Sequence, residues 1–333
     1  MRRFYKTLFF LFVITAAWQI IRSFYLPEEK QVRSELRQHV QKSFPELSSQ
    51  SNSRFGIKRL HIGNSFQHIV LIHGLDDPDK VWMNLAPELK KHGYHTWKML
   101  YPNDQPIRES AKLFLIHLAQ LKKQGVSNIV IVAHSMGGLV SREVLTNHRL
   151  CLTDCENTEL PVVDKLIMVG TPNAGSHLAR FRGLGEIREQ LARLIDGKSG
   201  WLDWILDGAG EAGIDLIPGS PFLMELNSHA PPKDTSYLII AGVIGAESKS
   251  ALLNKLDNLI KEKDFSEALK ESINELNHDL GDGLVSLESA QLDNIELIKV
   301  DGNHLSIIRN ISTESRRVPP AIPIILERLE QTK

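Results

Sequence analysis

Cysteine is nearly absent from this chain: 333 residues hold two, Cys151 and Cys155, in the run Cys151-Leu152-Thr153-Asp154-Cys155. Two thiols cannot make a disulfide-stapled scaffold, so the fold must rest on a packed core. Two further ligands at the usual spacing are missing, which counts against a structural zinc site. In an exported domain the pair is compatible with a short disulfide, which would staple one loop without holding the fold together. Net charge is scarce too, at −1 from 39 basic and 40 acidic residues, and the basic residues are scattered. That balance, with no basic-aromatic stripe, argues against a general nucleic-acid partner. There is no Gly-rich phosphate loop, no nicotinamide fingerprint, no metal-ligand cluster, no tandem repeat and no low-complexity tract. The chemistry expected of the chain therefore calls for no cofactor and no metal.

What the chain does have is 42% hydrophobic residues, enough to bury one large core. The most informative stretch is Ala133-His134-Ser135-Met136-Gly137-Gly138. Before it, Asn128 to Val132 is a β-branched apolar run that reads as a buried strand, and after it Leu139 to Leu145 has helical apolar spacing. A serine between small residues at a strand-to-helix turn is a nucleophile elbow. The turn lifts the serine oxygen off the sheet and aims the following backbone N–H, that of Met136, into the same space. The pattern departs from G-x-S-x-G by one methyl group, at Ala133. It proposes acyl transfer through an ester of Ser135.

A serine of this kind needs a base and an orienting carboxylate, in the chain order serine, acid, histidine. Ile295 to Val300 reads as the last core strand, and Asp301-Gly302-Asn303-His304 follows it at once, which makes His304 the expected general base among 13 histidines. The expected acid is Asp282, between Gly281 and Gly283, with Asp279 and Glu288 as rivals. A second oxyanion donor besides Met136 should follow an earlier strand. His68 to Ile72 is such a strand, ending in His73-Gly74-Leu75. The N–H of Leu75 is the expected donor, and His73 is expected to be structural. Asp76, Asp77 and Asp79, just before Lys80-Val81-Trp82, read as carboxylates at a helix N-terminus and not as a metal cluster.

These motifs resemble α/β-hydrolases of the bacterial lipase and carboxylesterase kind. His73-Gly74-Leu75 resembles their oxyanion loop, and Ala133 to Gly138 the alanine variant of their elbow. Thr171-Pro172-Asn173-Ala174-Gly175-Ser176 resembles their T-P-H-x-G-S segment, with asparagine in place of histidine. Asp282-Gly283-Leu284-Val285 resembles their acid loop, and Ile217 to Leu223 a segment of lipases and lipid-linked deacylases. The resemblance covers about residues 65 to 330. It implies an α/β-hydrolase fold with the triad Ser135, Asp282 and His304, and more weakly a lipid or acyl-ester substrate. The same acyl-enzyme would serve an acyltransferase or a lipid-remodelling deacylase, since water and another alcohol can both resolve it. A hydrolase fold used only as a binding scaffold is the reading that the intact triad disfavours.

Strand patterns near 67–72, 94–100, 128–133, 165–170, 236–243 and 295–300 alternate with helical ones at 80–91, 107–124 and 136–147. This predicts a mostly parallel sheet covered on both faces, with an antiparallel edge strand within 54–62 and a closing helix at 319–331. Two insertions break the rhythm. One, about 177–235, carries the apolar run Gly200 to Leu206 and is expected to form a cap or lid over the serine, or a helical cap packed on the core. The other, about 248–278, is charged and amphipathic and is expected to form peripheral helices.

The first residues, Met1 to Lys6, are basic, and Thr7 to Ile21 carry no charge. This reads as an uncleaved membrane anchor in preference to a cleaved secretory signal. Positive charge on that flank places the catalytic domain on the non-cytoplasmic side. The expected organisation is an anchor or signal segment at 1–26, an extension at 27–64 and a catalytic domain at 65–333.

Overall fold

The computed structural model describes residues 54–75, 80–103, 105–147, 150, 159–177, 179, 211–245, 250, 279, 281–312 and 314–331. The segment 1–26, the residues Asp76, Asp77, Asp79, Cys151 and Cys155, the Trp-bearing part of the first insertion and nearly all of the second lie outside the described residues.

Among the described residues seven strands form one sheet: β1 (Gly56–His61), β2 (His68–Ile72), β3 (His95–Leu100), β4 (Asn128–His134), β5 (Val162–Val169), β6 (Ser236–Val243) and β7 (Glu296–Asp301). Their order is β1-β3-β2-β4-β5-β6-β7. Only the β1–β3 pair is antiparallel. The parallel strands therefore end on one edge, and each must be reached by a crossover. The described helices supply the covering layers: α1 (Leu85–Lys91), α2 (Ile107–Lys123), α3 (Met136–Thr146), α4 (Ala212–Asp215), α5 (Pro221–Ser228), α6 (Leu287–Ala290) and α7 (Ala321–Glu330).

Side-chain alternation divides the core in two. Val70, Ile72, Ile129, Ile131, Ala133, Leu166, Met168, Ile239 and Ala241 face one cluster with residues of α2 and α3. Ile69, Leu71, Val130, Val132, Ile167, Val169, Leu238 and Ile240 face the other, with residues of α1 and α7. Strands buried on both faces read as continuous apolar runs, which is why 128–133 and 67–72 stood out in the sequence. Along α2, Ile107, Ala111, Phe114, Leu118 and Leu121 are all buried, at the spacing of one helical face. Each such large side chain stabilises the fold by about 1.5–3 kcal/mol of burial. The first N–H of α2, that of Ile107, donates to Asp215 Oδ2 at 2.9 Å, so a buried carboxylate caps the helix from α4.

The expected strands are all present, although β5 begins at Val162, three residues before the apolar pattern suggests. The first expected helix is shorter than its periodicity: residues 80–84 form turns, and α1 starts at Leu85. Val81 and Trp82 are buried beside Leu85 and Leu89, so apolar spacing there reflects packing of a turn. Of the first insertion, the described stretch 211–235 packs on the core, with Leu216, Phe222, Leu223 and Leu226 in the same cluster as Leu139 and Val140. Among the described residues no helix is long and apolar enough to cross a membrane.

Candidate active site

Ser135 stands between β4 and α3 with φ 55° and ψ −132°. Among the described residues only Asn294 shares a positive φ without being glycine. Such a conformation costs a non-glycine residue about 1–3 kcal/mol and persists only where the surroundings impose it. Here they do. The Ser135 N–H donates to the Val169 carbonyl at 2.9 Å, and its own carbonyl accepts from Gly138 N–H and Thr171 Oγ1, each at 3.0 Å. The small residues of the elbow answer to close contacts. A Cβ at Gly137 would fall 2.4 Å from the Ile72 carbonyl oxygen, and one at Gly138 2.1 Å from Thr171 Oγ1. Ala133 is fully buried between Ile72 and Met168 in the sheet register, where its methyl finds room.

His304 Nδ1 donates to Asp282 Oδ2 at 2.7 Å, and the backbones of the two residues are joined as well, His304 N–H to the Asp282 carbonyl at 3.0 Å. Both side chains are 1% exposed. Asp282 Oδ1 accepts from the N–H groups of Leu284 and Val285, both at 2.9 Å. One carboxylate oxygen is thus spent on holding its own loop and the other faces the imidazole. With its proton on Nδ1, a neutral His304 carries its lone pair on Nε2, the atom that can accept a proton. The rival acids have other work: Asp279 accepts from Gly281 N–H at 3.0 Å and from Glu288 N–H at 2.9 Å, and Glu288 is exposed.

The serine turn and the Asp282–His304 pair share one place. A Cβ at Gly170, the residue after β5, would lie 3.2 Å from both Asp282 Oδ2 and His304 Nδ1, and one at Gly242 in β6 2.7 Å from Asp282 Cβ. His134, beside the serine, donates from Nε2 to the His304 carbonyl at 3.0 Å, and the two rings sit 4.8 Å apart. The sequence pattern gives His134 no role of its own. Its one signal was a buried strand end next to the serine.

The loop after β2 closes the other side. A Cβ at Gly74 would meet Ser135 Cβ at 2.6 Å and Oγ at 3.0 Å, so the backbone here passes as near the serine oxygen as glycine permits. His73 is buried and stacked on Tyr101, ring centroids 4.4 Å apart, as a structural histidine should be. Its Nδ1 donates to the Gly74 carbonyl at 2.9 Å, and the Tyr101 hydroxyl donates to the His73 carbonyl. The Leu75 N–H, trans to the Gly74 carbonyl, therefore points the opposite way. Met136 opens α3, and an N–H in the first turn has no acceptor within the helix. Both expected oxyanion donors thus come from the two segments that flank Ser135. Among the described residues no cluster of metal-binding side chains occurs.

A protein-family profile described as a domain of unknown function, DUF7379, matches residues 108–217. No curated protein sequence matches the chain. Among solved structures, a lipase of Bacillus licheniformis in mature form is similar, with a TM-score of 0.54 and 21% identity over 82% of this chain and 95% of that one. The propeptide form of that lipase gives 0.53 at 20% identity over 82% of this chain and 53% of its own. The phospholipase PlaB of Legionella pneumophila gives 0.52 at 14% identity, over 79% of this chain and 60% of its own. At such identities the likeness speaks for architecture. With its sheet order, its antiparallel edge and the serine turn between β4 and α3, the chain has an α/β-hydrolase fold like that of the Bacillus licheniformis lipase.

Proposed function

We propose that the protein is a serine esterase or lipase that hydrolyses carboxylic esters of lipid or acyl type through an acyl-enzyme on Ser135. The observation that carries this reading is the buried Asp282–His304 hydrogen bond beside a serine held at positive φ. In the proposed cycle His304 Nε2 takes the Ser135 proton as Oγ attacks the ester carbonyl. The Leu75 and Met136 N–H groups receive the oxyanion, and Asp282 stabilises the imidazolium. His304 then gives its proton to the departing alcohol and activates water to release the acid. A lipid or acyl ester is favoured by the lipase and phospholipase among the structural neighbours and by the apolar run Gly200 to Leu206 in the cap insertion. The basic Met1 to Lys6 followed by an uncharged Thr7 to Ile21 supports an N-terminal membrane anchor with the catalytic domain on the non-cytoplasmic side.

The test is a tagged fluorophosphonate, which reacts with activated serines. Wild type should be labelled and should hydrolyse short acyl esters, and Ser135→Ala should do neither while folding normally. Equal labelling of both proteins would refute the assignment of Ser135.

A further inference from the structure

Arg142 lies in α3, two turns beyond Ser135, and is 2% exposed. A buried guanidinium is costly unless its donors are used, and a well-packed apolar side chain would often serve stability as well or better. Burial lowers its pKa to about 10, which leaves it cationic at neutral pH. Its acceptors are neutral amides. Nη1 donates to Asn173 Oδ1 at 3.0 Å and Nη2 to Asn227 Oδ1 at 2.9 Å. The fork therefore joins three elements: α3, the loop after β5 and α5.

Asn173 is the junction. Its side-chain Nδ2 donates to the Ala290 carbonyl at 2.7 Å, and its own carbonyl accepts from Asn227 Nδ2 at 2.9 Å. The same short loop reaches both halves of the site. Thr171 Oγ1 holds the Ser135 carbonyl, while Ala174 N–H donates to the Ser289 carbonyl at 2.9 Å and Ser176 Oγ to the Leu284 carbonyl at 2.6 Å. Leu284 in turn donates its N–H to Asp282. Residues 171–176 are thus a strap whose one end grips the nucleophile and whose other end grips the segment carrying the acid.

We infer that Arg142 is a positioning residue: by holding Asn173 from beneath, it sets the distance and angle between Ser135 and the Asp282–His304 pair. This rests on the triad reading above. A displacement of the order of 1 Å between reacting groups can cost about a hundredfold in rate. Loss of the fork should therefore act on turnover and on the histidine's titration, while leaving substrate binding nearly alone. Lysine reaches one amide oxygen and cannot span both, so it should restore part of the effect.

The experiment compares wild type, Arg142→Met, Arg142→Lys and Asn227→Ala on a soluble short-chain ester across pH. Arg142→Met should lower kcat by about ten- to a hundredfold with KM within about twofold. The acid limb of kcat/KM should move to lower pH, because a carboxylate held less closely favours the imidazolium less. Arg142→Lys should fall between. Wild-type kcat and an unmoved limb in Arg142→Met, whatever its melting temperature, would overturn the inference by showing a purely structural arginine. Should Arg142→Met not fold, Asn227→Ala decides: Asn227 is on the exposed face of α5, and its loss removes one acceptor of the fork and one donor to Asn173. A drop of a few fold with the same shift of the limb supports the inference, and an unchanged profile overturns it. Absence of fluorophosphonate labelling in wild type would be a different failure, that of the triad itself.

Discussion

The Nδ1–H of His73 donates to the carbonyl of the very next residue, Gly74, at 2.9 Å, and this one bond orients the peptide whose other face carries the Leu75 N–H. The ring is held in turn against Tyr101, whose hydroxyl binds the His73 carbonyl. His73→Phe keeps a flat ring for the stack and removes the donor. The Gly74–Leu75 peptide can then rotate, and the oxyanion loses a pre-aimed partner. Outright loss of one such donor costs about 10²–10³ in kcat. Since the N–H remains and only its aim is loosened, a loss of about ten- to a hundredfold is expected, with little change in KM. Steady-state kinetics on a soluble ester check it, and wild-type kcat would remove His73 from the site.

Much of this arrangement was legible in residues 128–138 and 281–304. Ser135 follows a strand whose apolar run marks it as buried, His304 comes shortly after the half-buried last strand, and Asp282 sits between glycines that permit its turn. What could not be read are the links that bridge distant parts of the chain. The bond from His134 to the His304 carbonyl spans 170 residues, and that from Asn173 to the Ala290 carbonyl spans 117. Local pattern carries no trace of such pairs, because each joins an ordinary polar side chain to a backbone carbonyl that any residue carries, and only the sheet brings the loops together. The start of α1 departs from the apolar periodicity for a related reason: Val81 and Trp82 are spaced as on a helix but are buried as a turn.

Ala133 is the position where the elbow departs from glycine, and the structure explains why a methyl is tolerated there. The residue is fully buried in β4 with its side chain in the core beside α3. Ala133→Gly should restore the commoner motif without helping catalysis. It removes one buried methyl, worth about 0.8 kcal/mol, and adds strand backbone freedom worth about 0.5–1 kcal/mol. The variant should unfold about 1–2 kcal/mol more easily in urea while keeping kcat within twofold. A gain in kcat would mean that the methyl constrains the serine.

At the start of β2, beside β3, His68 Nδ1 accepts from Trp97 Nε1–H at 3.2 Å, and the ring stacks on His95 with centroids 4.5 Å apart. Burial, then the neighbouring His95 and Arg59, hold the His68 pKa below its ordinary value of 6.5. The unfolded chain therefore takes up this proton first as pH falls. Stability from this group is complete above about pH 6.5 and declines below it until the folded state is protonated too. His117, lowered by burial and by Lys58, adds to the same slope. Melting temperature should fall as pH drops below about 6.5, and less steeply in His68→Gln, whose side-chain oxygen can still accept from the indole. Parallel curves for the two proteins would show that His68 does not contribute.

The two oxygens of Asp282 are not equivalent, and this gives the sharpest test of the acid. Oδ1 accepts two backbone N–H groups, so in Asp282→Asn the amide oxygen must stay there and the NH2 must take the place of Oδ2, facing His304. A donor in that position forces the His304 proton from Nδ1 to Nε2, and the ring can no longer accept the Ser135 proton. The shape of the site is kept and its chemistry is reversed. A loss of about 10⁴ in kcat is expected on the precedent of the same change in a serine protease triad. Asp279→Asn is the matched control three residues away. Among the described residues its carboxylate holds only the N–H groups of Gly281 and Glu288, so activity should stay within a few fold. Measured side by side at neutral pH, a large loss in Asp279→Asn with a small one in Asp282→Asn would transfer the acid's role to the rival that the hydrogen bonds argue against.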